Sequence, residues 1–225
     1  MVEKSEKPGG APQKHANADE TRKAIFEAAL EEFALRSVEG ARTRDIARRA
    51  NVNHAAINYH FGSKRRMYEH VIKDTIQYFA DYFAPLVAEV EEFLEKDGKN
   101  AKKAIEFIKK ILIFHHSFFY NPGFSSFYLL VKREELFPSS AFETVFKKGF
   151  KPMHHNFVRL VDVASGFTRT KKENSMIAIS LIGLNGSLNS CKVGFLRMNG
   201  QDELKKDDVD LFCRICCEAV DRLFK

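Results

Sequence analysis

Between Arg42 and Lys64 the chain reads RTRDIARRANVNHAAINYHFGSK, and its side chains suit hydrogen bonding to a nucleic acid rather than bond making or breaking. Asn58 can bond base edges, and the small residues Ala55 and Ala56 would let a helix approach the floor of a major groove. Tyr59 and His60 can reach phosphate oxygens. Lys64 brings a cation to the first turn of a following helix, where free backbone N–H groups also attract phosphate.

These groups need two short helices held at an angle. Thr43 is a good N-cap, and Ile46, Ala47 and Ala50 set one apolar face of a helix running to about Ala50. Asn51-Val52-Asn53 then breaks the period. Asn51 tolerates the left-handed backbone of a tight turn, Val52 plugs the angle, and Asn53 can cap a second helix starting near His54. On that helix Ile57 and Phe61 face inward while Ala55, Ala56, Asn58 and Tyr59 point away. Gly62-Ser63 ends it and caps the next.

This order of turn, hydrophobic spacing and Tyr-His-Phe-Gly-Ser-Lys ending resembles the helix-turn-helix signature of the TetR family of transcriptional regulators. The resemblance implies an all-α fold, a homodimer on a palindromic double-stranded DNA operator, and a small-molecule effector. It further implies phosphate-contacting roles for Thr43, Tyr59, His60 and Lys64, and base-facing roles for Arg44, His54, Ala55, Ala56 and Asn58. Asn51 stands where the family usually has Gly and can adopt the same backbone.

Charge follows the same division. The net charge is +6, and residues 1–67 hold 13 Lys/Arg against 9 Asp/Glu, leaving the remainder close to balance. Arg42, Arg44, Arg48, Arg49, Lys64, Arg65 and Arg66 have only Asp45 among them in sequence, the footprint a phosphate partner requires. Four cysteines, all after residue 190, no secretory signal and no apolar run long enough to span a bilayer point to a reducing, cytoplasmic setting without a membrane partner. Cys213, Cys216 and Cys217 read as packed or partly exposed thiols rather than a metal or redox site.

In chain order, residues 1–18 combine charge with Pro-Gly-Gly and few large apolar groups, and read as a disordered tail. Residues 19–66 read as the DNA-binding domain, its first helix carrying a stripe of Phe26, Ala29, Leu30 and Phe33 through to about Ser37, with Gly40 closing the loop before Arg42. Residues 67–225 read as a helical effector-binding and dimerisation domain. A helix opened by Ser63 is expected to end by Pro85 and to act as a lever between the two. Further helices follow over 86–96, 100–120, 123–136, 140–165 (kinked or split at Pro152), 172–198 and 207–224, separated by Asp97-Gly98, Asn121-Pro122-Gly123, Phe137-Pro138, Ser165-Gly166 and Asn199-Gly200. Alternating strand patterns are absent.

The second domain holds 18 of the 21 Phe residues. An apolar effector pocket is expected from His115, Phe118, Phe119, Phe127, Arg133, Met153, His154, Phe157 and Asn185, against the plainer reading of an aromatic core. The run from Arg133 to Phe157, REELFPSSAFETVFKKGFKPMHHNF, is loosely similar to a domain of some TetR-like repressors of efflux and drug-tolerance genes. Adjacent histidines point about 100° apart on a helix, so the pairs 115/116 and 154/155 make poor metal sites, and no cofactor is expected. Ile177, Leu181, Leu184, Leu188, Cys191 and Phe195, with Phe212, Cys216 and Val220, form heptad-like stripes expected to build a dimer bundle. No Ser, Cys or carboxylate sits in a nucleophile or acid/base setting, which argues against an enzyme.

Overall fold

A computed structural model describes residues 12–225, with side chains from residue 18 onward except those at 119, 122, 144, 145 and 148. Residues 1–11 of the expected tail lie outside the described residues. Ten α-helices and one short 3-10 turn make up the ordered elements, and among the described residues there is no strand. The helices are α1 (Pro12–Gly40), α2 (Thr43–Arg49), α3 (His54–Phe61), α4 (Lys64–Lys96), α5 (Ala101–Phe119), α6 (Ser125–Leu136), α7 (Ser140–Ala164), α8 (Lys171–Ser190), α9 (Lys192–Asn199) and α10 (Lys206–Leu223), with the 3-10 turn Pro122–Phe124 before α6.

Local chemistry sets most boundaries. Asn53 accepts a hydrogen bond from the Ala55 N–H, Ser63 from Arg66, Asn100 from Lys103 and Ser139 from Phe142, so each satisfies a free donor at a helix start. Thr170 and Glu173 close a reciprocal capping box ahead of α8.

Several boundaries depart from expectation. α1 begins at Pro12, seven residues before Asp19, because Pro is tolerated at the first helical position and Gln13 to Ala16 propagate a helix without needing a core. Its buried stripe is Ile25, Ala28, Ala29 and Phe33, whereas Phe26 and Leu30 lie at the edge, half-buried. The break at its end falls on Ser37 (φ 65°), at the expected boundary, with the Ser37 hydroxyl accepting from the Gly40 N–H. Arg42, not Thr43, is the N-cap residue of α2.

α4 does not stop at Pro85 but runs on to Lys96. Pro85 and Asp81 lie on the exposed side, where water satisfies the carbonyl that Pro cannot bond, while Phe83, Leu86 and Val90 continue the buried stripe. Pro152 is likewise exposed and does not split α7. The expected single helix over 172–198 is divided at Cys191 into α8 and α9. Just before that break the Tyr120 hydroxyl donates to the Asn185 carbonyl and accepts the Asn189 N–H, thereby inserting into the backbone ladder.

Two hydrophobic clusters form the interior, and α4 belongs to both. The first joins α1 to α3 with the N-terminal half of α4, α6 and the start of α7, through Ile25, Phe33, Ile46, Ile57, Phe61, Met67, Val71, Phe79, Phe127, Leu130 and Phe150. The second packs Leu86, Val90 and Phe93 of α4 against α5, α7, α8 and α10. Where α4 and α7 cross, a Cβ on Gly149 would stand 2.5 Å from Ile76 Cγ2. Gly149→Ala is therefore expected to force these helices apart and destabilise the protein by about 1–3 kcal/mol, read as a lower urea midpoint at unchanged slope.

Candidate nucleic-acid interface

α2 and α3 meet through the turn Asn51–Asn53, in which Asn51 takes φ 54°. Ile46, Ala47, Ile57 and Phe61 are buried against α1 and α4, so the orientation of α3 is fixed by the apolar side of the helix pair. The opposite side of α3 faces solvent. His54, Ala55 and Asn58 are exposed, Ala56 and His60 are half-buried, and Tyr59 is 83% exposed with its ring edge-on to His60 at 5.0 Å. A bare aromatic beside a small residue and an amide has the shape and hydrogen-bonding groups that contact with bases and phosphates requires.

Two residues expected to meet phosphate already have protein partners. Thr43 Oγ1 lies 2.8 Å from His54 Nε2, tying the start of α2 to the start of α3. Lys64 Nζ donates to the carbonyls of Glu39 (3.3 Å) and Ala41 (3.1 Å), which pins α4 to the segment leaving α1. Its backbone stands at the start of α4, where N–H groups are free to meet an anion.

The basic cluster is less free than its sequence suggests. Arg48 pairs with Asp45 at 2.9 Å, Arg49 with Glu31 at 2.5 Å and more distantly with the buried Glu32, and Arg65 with Glu69 at 3.6 Å. Acids of α1, α2 and α4 thus pair with three of its seven cations. Among the described residues Arg42, Arg44 and Arg66 have no carboxylate partner and are exposed, so the uncompensated charge lies at the N-terminal ends of α2 and α4. Arg42 and Arg66 add themselves to the candidate contacts. Both belong to the basic run read from the sequence, and their neighbours' ion pairing singles them out; of those pairs only Arg49 with Glu31 and Glu32 joins residues distant along the chain.

The residues proposed for an effector pocket do not form one pocket. Phe118 and Phe127 are buried in the first cluster, stacked around Phe79 with Phe83 and Phe150, and Phe157 lies in the second cluster. His115, Met153 and His154 meet at a cavity of only about 30 Å³, roughly one water molecule's share of space. Asn185 reaches that place through a 2.9 Å contact between its Nδ2 and His115 Nδ1, while also donating to the Leu112 carbonyl. Arg133 is elsewhere altogether. Its guanidinium donates to the carbonyls of Ala34 and Leu35 and so caps the C-terminal end of α1. The Phe119 side chain lies outside the described residues. Aromatic rings of similar size interlock well, which is why the Phe-rich interior closes on itself.

Next to Arg133 the buried Glu134 accepts short bonds from the Tyr68 hydroxyl and from the Ser139 N–H and hydroxyl (3.0 and 2.8 Å), joining α4, α6 and α7. Burial and that carboxylate push the Tyr68 phenol far above its usual value.

The expected dimer stripe is also redistributed. Leu181, Leu188, Cys216 and Val220 are buried within the single chain, because α8 and α10 use those positions to pack on one another and on α5 and α7. Ile177, Leu184, Phe195 and Phe212 are half-buried, and Cys191 is exposed at the break after α8. The bare apolar groups are one step around each helix. Met176 (57%) and Ile179 (67%) lie on α8, and Leu211 and Ile215 on α10.

Residues 25–71 match the TetR_N family, described as bacterial regulatory proteins, tetR family. The chain is 24% identical over 172 residues to the HTH-type transcriptional dual regulator CecR of Shigella flexneri, covering 76% of this chain and 77% of that protein. In fold it is similar to a TetR-like transcriptional regulator from Rhodococcus sp. RHA1 (TM-score 0.61, 17% identity, 90% of this chain and 94% of that one). It is also similar to HlyIIR, a hemolysin II transcriptional regulator (TM-score 0.57, 20% identity, 88% and 97%). Among the described residues no helix is long and apolar enough to cross a membrane.

Burial and the nearby Lys132 ammonium push the His115 imidazole down to about 3. The unfolded chain binds that proton below about pH 6.5, whereas the folded protein refuses it until about pH 3. Stability should therefore be free of this cost above pH 6.5 and fall on acidification across the window, by at most about 1.4 kcal/mol per pH unit from this group. Urea unfolding at pH 7, 6 and 5 should show a shallower loss in His115→Gln than in the unaltered protein.

Proposed function

From the premise that residues 25–71 of this chain belong to the tetR family of bacterial regulatory proteins, we propose that the protein is a cytoplasmic, homodimeric repressor that binds a palindromic operator and is released from it by a small hydrophobic ligand. The observation that carries the DNA-binding part is the exposed Ala55–Asn58–Tyr59 face of α3 beside the unpaired Arg42, Arg44 and Arg66. In this reading Ala55 and Ala56 permit close approach to the bases. Arg44, His54 and Asn58 read base edges, and Thr43, Tyr59, His60 and Lys64 hold phosphates. Residues 19–66 serve as the reading head and 67–225 as the regulatory and dimerising part.

Palindromic recognition needs two heads related by two-fold symmetry. The bare apolar face of Met176 and Ile179 with Leu211 and Ile215 is the surface on which a second copy would pack, and two helices from each subunit would give a four-helix bundle. A ligand shifts such a dimer only by binding the non-operator spacing more tightly than the operator spacing, with α4 carrying the movement. A second reading, in which the helical part serves only dimerisation, draws support from the packed interior around His115 and Met153.

Fluorescence anisotropy on duplex DNA from upstream of the protein's own gene, against random duplex over a salt series, tests this reading. Arg44→Ala should lower operator affinity and narrow its advantage over random DNA. Lys64→Ala should weaken binding to all sequences and reduce the salt slope by about one. Equal affinity for operator and random duplex in the unaltered protein would sink sequence-specific recognition. Ile179→Glu should yield monomers by light scattering and a loss of operator affinity of about a hundredfold or more.

A further inference from the structure

A groove of about 610 Å³ with a largely apolar lining runs between α1, α4 and the turn leading into α6. Phe26 and Leu30 form one wall and Tyr78, Phe124 and Phe127 the other. Phe26 and Leu30 are half-buried because they were left out of the α1 stripe, and Tyr78 is half exposed while stacked on Phe124 at 5.4 Å. The volume is that of a small-molecule site, unlike the interior cavity beside His115.

The charges at the rim do not cancel. Lys23 lies 4.0 Å from Glu27, and the Arg22 guanidinium sits over the Phe61 ring at 5.7 Å. Among the described residues the carboxylates of Asp19 and Asp74 have neither ion pair nor hydrogen bond, and both line the groove. An aromatic wall beside unpaired carboxylates favours a cation, through the ring faces as well as through Coulomb attraction.

We propose that this groove binds a small aromatic cation, its rings held between Phe26, Leu30 and the Tyr78–Phe124 pair and its positive end toward Asp19 and Asp74. The molecule would touch the first helix of the reading head and the lever helix at once, so occupation holds the two at a set angle. That consequence for DNA rests on the function proposed above, whereas the binding itself does not.

The test is a fluorescence titration of the full chain, without DNA, using 9-aminoacridine, which is cationic at pH 7, and acridine-9-carboxylate, an anion on the same ring system. The cation should bind about tenfold or more tightly than the anion. Asp74→Asn, an exposed change that leaves the core untouched, should bring the two affinities to within about threefold. Binding of neither dye, equal binding of both, or a cation preference that Asp74→Asn leaves intact would overturn the proposal. Operator affinity is measured separately, so its failure would count against the DNA reading alone.

Discussion

The rest of the molecule depends on α4 being one unbroken helix. Its first turn carries Lys64 beside the reading head, its next turns lie in the core shared with α1 to α3, and its far half lies in the core shared with α5, α7, α8 and α10. A hydrogen-bonded rod of this length transmits displacement along itself because bending it costs backbone bonds. The two halves of the chain are therefore mechanically joined, and the polar contacts around Glu134 and Arg133 reinforce the joint. Glu134 gathers Tyr68 and Ser139 onto α6, and Arg133 caps α1 from the same helix.

Around the reading head, charge is apportioned by neighbours rather than by sequence count. Glu31 and Glu32 of α1 take up Arg49 and so tie α2 to α1, whereas Glu69 takes up Arg65 one turn along α4 itself. The cations left over stand where two helix N-termini meet the surface, and there the backbone dipoles add to their field. The same surface thus combines ion pairs, which tie α2 to α1, with unpaired cations, which are available to a phosphate chain.

In the helical half, tight packing and open space are separated. Rings interlock around Phe79, and tyrosine hydroxyls find backbone partners, as when Tyr120 enters the α8 ladder and Tyr128 bonds the Gly186 carbonyl. Open space lies instead along the seam between α1 and α4, lined by the half-buried Phe26, Leu30 and Phe124.

Local signals were enough for much of this. The all-α class, the turn at Asn51, the caps at Asn53, Ser63 and Asn100, and the inward Ile57 and Phe61 of α3 all follow from periodicity and side-chain chemistry acting within a few residues. Other features lie beyond that reach. Proline reads as a stop, yet at Pro85 and Pro152 the exposed face supplies water and the buried face supplies packing, so the helices continue. Heptad spacing on α8 and α10 shows that an apolar face exists but not which of two neighbouring faces turns inward, since that depends on α5 and α7, distant in sequence. Phenylalanine content announces a large apolar volume without saying whether the rings leave a hole. By itself the sequence determined helix type, turn chemistry and the residues shown by the reading helix, because those are settled by neighbours along the chain. Only the tertiary structure decided that Arg49 is paired, which leucines are hidden and where a ligand has room, because each is settled by residues that folding brings together across the chain.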